Sequence, residues 1–253
     1  MKTNFRPYYY YTGNLHHIVK SDSITKEQFT QIHIGIEHFI KQYEEGKKQT
    51  DSISVAYAFQ QEVQKIIEKD ENKNSEYGKQ IKCGKGCSFC CNYHVDISDD
   101  EANLLVEYTK EEGIVIDKNR LEKQKDKNLK TWEELKYADR QCVFLDDLGA
   151  CKVYKYRPIS CRALQVVTPP SFCDAQAGTK EVASFSILEL DVIASAVSNA
   201  TTQGSMAKLL FERLENTTCD LCGEKFSGEK HKVYDENYNE QKGLIQCGCG
   251  INK

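Results

Sequence analysis

Residues Cys83-Gly84-Lys85-Gly86-Cys87-Ser88-Phe89-Cys90-Cys91 put four thiols into nine positions, two of them adjacent. Thiols this dense are either oxidised in pairs or bound to a soft metal, and compartment and spacing decide which. The chain has 12 cysteines in all. Its start, Met1 to Lys20, holds a tyrosine run (Tyr8 to Tyr11) but no apolar h-region or small-residue cleavage site. The reading is therefore a cytoplasmic protein with reduced thiols, in which metal ions are expected ahead of disulfides.

Length, charge and hydropathy narrow the partners. A chain of 253 residues can build a core without metal or disulfide staples. It contains no run of about 18 apolar residues, so no membrane partner is expected. The formal charge of −4 gives no basic field for phosphates, and thiolates would add to it, so nucleic acid is not expected either. A protein partner stays open.

Helical patterns dominate. Thr25-Lys26-Glu27-Gln28 reads as a capping box, followed by apolar residues at helical spacing from Phe29 to Tyr43, with Gly46 as the stop. A second helix starts near Ser52 and carries Val55, Phe59, Val63 and Ile66 on one face. Residues 1–80 are thus expected as a helical hairpin and linker. Ser98-Asp99-Asp100-Glu101 forms a second capping box, its helix ending at Gly113, and a polar helix is expected after Asp117 through Leu121, Leu129, Trp132 and Leu135. Cys142 to Tyr154 reads as a short β-hairpin turning at Asp146-Asp147-Leu148-Gly149. Residues 184–198 and 205–215 look like closing helices. The expected architecture is mostly α with a short β-hairpin and metal-stapled loops: a cysteine-cluster domain over 81–216 and a zinc-knuckle or ribbon-like tail over 217–253.

The cysteines fall into two groups of ligand size. The central one comprises Cys83, Cys87, Cys90, Cys91, Cys142, Cys151, Cys161 and Cys173. Cys87-x-x-Cys90 can place two thiolates on one ion. Cys90 and Cys91 are harder to combine, because adjacent side chains diverge, so the doublet favours either two sites or one ligand beside a free thiol. Eight sulfurs suit two four-cysteine sites, or one four-cysteine cluster such as a [4Fe-4S] centre with the remainder structural or reactive. Some could instead be small buried hydrophobes. In the tail, Cys219, Cys222, Cys247 and Cys249 make a candidate structural zinc site, with His231 able to replace one of them. Arg157 and Arg162 bracket Cys161 and are candidates to offset thiolate charge by donating to sulfur. His94 is a candidate ligand or proton donor, against the alternative of a structural histidine.

These motifs resemble the YkgJ-type cysteine-cluster family, a zinc- or iron-chelating domain with a CxxCxxCC signature. The likeness rests on Cys87-Ser88-Phe89-Cys90-Cys91, on Val95-Asp96-Ile97-Ser98 with Glu101-Ala102, and on Cys142-Val143-Phe144-Leu145-Asp146. It continues through Gly149-Ala150-Cys151-Lys152-Val153-Tyr154, Arg157-Pro158 and Cys161-Arg162. It covers roughly Cys83 to Cys173, departing only in the three-residue interval between Cys83 and Cys87. The resemblance implies a metal or Fe–S centre and no defined reaction. Flagellin lysine N-methylases share this kind of cluster, which makes a methyltransferase-like enzyme the alternative, although neither a Gly-x-Gly-x-Gly segment after a strand nor a GxxxxGK[ST] loop is present. The remaining reading is a protein-interaction module with purely structural metal. The first expectation is a zinc or Fe–S protein with an accessory, sensing or redox role.

Overall fold

The computed structural model describes residues 10–21, 24–76, 78–176, 181–185, 187–215, 232–233 and 245–246. The tail cysteines and His231 lie outside them, so the expected zinc knuckle has no structural description. The helices are α1 (Leu15–Ile18), α2 (Lys26–Gln49), α3 (Ser52–Glu68), α4 (Asp70–Lys73), α5 (Asp99–Glu111), α6 (Lys118–Gln124), α7 (Tyr137–Arg140), α8 (Ile159–Ala163), α9 (Leu188–Ala200) and α10 (Met206–Glu215). The strands are β1 (Asp96–Ser98), β2 (Gln165–Val166), β3 (Ser184–Phe185), β4 (Gln203–Ser205), β5 (Lys232–Val233) and β6 (Ile245–Gln246). They pair antiparallel as β1 with β4, β2 with β3 and β5 with β6. The chain is mostly helical, as expected.

Both capping boxes form. Thr25 Oγ1 accepts the Gln28 amide while the Gln28 side chain accepts the Thr25 amide, and Ser98 and Glu101 exchange the same pair of bonds. Each satisfies backbone donors that the first helical turn leaves over. Gly46, however, does not stop α2, which continues to Gln49. Its role is close packing: a Cβ there would stand 2.9 Å from Val55 Cγ2 on α3. The polar segment after Asp117 also departs from one long helix, breaking into α6, a 3-10 turn at Trp132–Glu134 and α7.

Helix α2 packs on α9 and α3 on α5. One apolar cluster joins Tyr43, Val55, Val63 and Ile66 to Ile159, Leu190, Ile193 and Val197. Another unites Ile97, Leu105, Leu121, Phe144, Val153, Leu210 and Phe211, with Cys142 and Cys151 packed against it. The cysteine-bearing loops are therefore laid on a helical core rather than hung from it.

Candidate metal centre

Four cysteines come from the run Cys83–Cys91, Cys142 and Cys151 from the segment Cys142–Tyr154, and Cys161 and Cys173 from two further segments. The Cys142 amide donates to the Cys91 carbonyl at 2.7 Å. Gln124 Nε2 holds the carbonyls of Asp139 and Gln141 just before it, at 2.6 and 2.9 Å. The segment from Cys142 to Tyr154 forms a single bridge, Leu145 to Cys151, in place of the expected ladder. Its turn is made by Asp146 Oδ1, which accepts the Leu148 and Ala150 amides, with Gly149 at φ 77°. The arms stay short because the Leu145 amide turns back to the Cys142 carbonyl, consuming a ladder partner.

Cys161 rides on α8. Arg162 is buried and clamps this turn: its Nε donates to the Arg157 carbonyl at 2.8 Å, its Nη1 to Gln64 at 2.8 Å and its Nη2 to the Lys155 carbonyl. Burial, with Arg157 adding repulsion, lowers its pKa to about 10. Arg157 is placed differently. It stacks on Tyr154 at 4.2 Å, lines the sulfur cavity, and its buried Nε has no hydrogen-bond partner among the described residues.

Cys87, Cys90, Cys91, Cys142, Cys151 and Cys161 line one cavity of about 100 Å³. Charge interactions link the thiols through Cys90. Cys91, Cys142, Cys151 and Cys161 act on one another or through Cys90. Cys83 and Cys173 act on Cys87 and Cys90. Cys90 is common to both groups of contacts. Backbone amides are aimed at three of the sulfurs: Phe144 donates to Cys142, Val153 to Cys151, and Val166 to Cys83 at 3.2 Å. Such amides stabilise thiolate over thiol.

Burial still dominates most of these groups, raising Cys142 to about 12, Cys161 well above its ordinary value, and Cys83, Cys151 and Cys173 upward. The doublet shares a proton: the Cys91 thiol donates to Cys90, which lowers Cys90 to about 7 and raises Cys91. Among the described residues no three His, Cys, Asp or Glu side chains already stand gathered as one ion requires.

The profile described as "CxxCxxCC: Putative zinc- or iron-chelating domain" matches residues 82–185. The matched segment is thus similar to that family over less than half of the chain. No curated protein and no solved structure matches the chain. The matched segment contains all eight central cysteines and both arginines, whereas α2, α3, α9 and α10 lie outside it and supply the core beneath. Sequence reasoning missed Glu101 as a site-building residue. Its carboxylate accepts the Ile159 amide at 2.7 Å and so fixes the start of the Cys161 helix, and only its capping-box role was visible locally.

Proposed function

We propose that this chain is a cytoplasmic metal-binding protein whose central segment holds zinc or iron in two four-thiol sets, serving an accessory, sensing or redox role. One set is Cys91, Cys142, Cys151 and Cys161, and the other is Cys83, Cys87, Cys90 and Cys173. The observation that carries this reading is the convergence of six thiols from three segments on one small cavity, with amides directed at sulfur. The donor chemistry fits: all-thiolate sets suit zinc and iron–sulfur centres including [4Fe-4S], and a buried guanidinium with a spare Nε suits an anionic sulfur site. Arg157 takes the charge-offsetting role, and Arg162 supports it from behind by fixing the Arg157 carbonyl. The metal when bound supplies either a structural staple or an electron acceptor. In the tail, Cys219, Cys222, Cys247 and Cys249 hold a structural zinc.

Metal analysis with ultraviolet-visible and electron paramagnetic resonance spectra on anaerobically prepared protein tests this. Stoichiometric zinc or iron is the expected result. Fully folded metal-free protein with all eight central thiols open to titration would overturn it. The methyltransferase-like alternative requires S-adenosylmethionine binding by the metal-loaded protein, read by isothermal titration. The interaction-module alternative requires a centre closed to all small molecules.

A further inference from the structure

Beside the sulfur cavity lies one of about 670 Å³, a volume typical of small-molecule sites. Cys90, Tyr93, Val95 and Cys161 line both, so two thiols stand in the wall between them. Among the described residues the larger cavity is lined by three carboxylates, Asp96, Glu101 and Asp191, and by no lysine or arginine. Glu101 is spent on internal donors from Ser98, Gln60 and Ile159. The Asp96 side chain, in contrast, is 56% exposed.

A second and independent observation points to a ligand. The His94 side chain lines this cavity and is only 5% exposed, yet its Nε2 has no hydrogen-bond partner among the described residues. Asp96 Oδ1 is 3.8 Å away, beyond bonding reach. The ring cannot easily turn to find one, because it stands edge-on to Trp132 at 5.3 Å and Trp132 is itself tied to the Asn92 carbonyl at 2.8 Å. A buried polar atom without a partner carries an uncompensated desolvation penalty. An incoming donor would remove it.

We propose that the large cavity binds a small organic cation, an aliphatic primary ammonium, which donates to His94 Nε2 and lies in the field of Asp96, against the wall formed by Cys90 and Cys161. An anion is disfavoured because the described lining offers it carboxylates and no cationic side chain.

Isothermal titration of the full chain, with metal content measured on the same sample, compares butylammonium with butanol and butyrate. Butylammonium is expected to bind at least about tenfold more tightly than either, the scale of one charge-assisted hydrogen bond. His94→Phe, which keeps the ring against Trp132, is expected to lose most of that preference. Ser198→Phe, on the α9 wall, is expected to abolish binding, and Ser198→Leu serves where the larger residue prevents folding. Equal affinity for the three probes, or undiminished butylammonium binding in the folded Ser198 variant, would overturn the inference. Binding by metal-free protein would support it independently of the metal centre.

Discussion

Glu101 Oε1 accepts the Ile159 amide at 2.7 Å, so a carboxylate in the first turn of α5 sets the start of the helix that carries Cys161. The same side chain takes Gln60 Nε2 from α3 and the Ser98 amide and hydroxyl from its own cap. Four donors from three segments therefore converge on one buried carboxylate. Glu101→Gln replaces an acceptor with a donor facing donors, and is expected to destabilise the chain by about 1–3 kcal/mol. Urea unfolding measures this, and an unchanged midpoint would refute the role.

The two thiol sets make separable expectations. Cys161→Ser should remove metal from one set and leave the other, while Cys173→Ser should do the reverse. Cys90→Ser should disturb both, because Cys90 interacts with members of each. Metal content per chain distinguishes these outcomes. Identical losses from Cys161→Ser and Cys173→Ser would mean a single centre.

The pH dependence follows from burial. Before metal binds, Cys142 is raised to about 12 and Cys161 well above the ordinary thiol value of 9.0, so both hold protons near neutrality. An ion must displace those protons, and metal affinity should fall as pH falls. Proton release can be read by calorimetry in buffers of different ionisation enthalpy. For folding of the metal-free chain the sign is opposite. A raised folded-state pKa adds nothing below the unfolded value and withdraws stability above it, so metal-free protein should weaken as pH rises from 9.0 toward 12. Cys90, lowered to about 7 by the Cys91 hydrogen bond, should be the thiol alkylated first by iodoacetamide in metal-free protein. Peptide mapping that found another cysteine labelled first would contradict this.

Much of this was legible in the sequence where interactions are local. The capping boxes at Thr25 and Ser98 read correctly because each is written within four residues. The cysteines were visible as a motif, but which six of them line one cavity was not, since that depends on how the loops from 142, 151 and 161 are laid on the helical core. The β1–β4 pairing escaped because Asp96 meets Ser205 across more than a hundred residues, with strands of only three. Gly46 was misread for the same reason, as its partner Val55 is known only after the hairpin closes.

Arg157 offers a test of charge compensation. Arg157→Met retains a stem against Tyr154 but removes the guanidinium from the sulfur cavity. Loss of such a supporting group is expected to weaken metal binding by about 10- to 100-fold, with partial recovery in Arg157→Lys. Competition with a chromophoric chelator measures both variants. Equal affinity for Arg157→Met and the parent chain would assign the residue to packing alone.

Gly46 separates helix propensity from packing. In isolation, Gly→Ala within a helix gains up to about 1 kcal/mol. Here the new Cβ would stand 2.9 Å from Val55 Cγ2, and Val55 is buried with a branched side chain that has little room to rotate. Overpacking of this kind costs about 1–3 kcal/mol, so Gly46→Ala should be net destabilising. Adding Val55→Ala removes the clashing methyls, and the double variant should be less destabilised than the sum of the two single changes. Thermal denaturation of all four chains completes the cycle. A stabilised Gly46→Ala chain would show that α2 and α3 can separate slightly without loss.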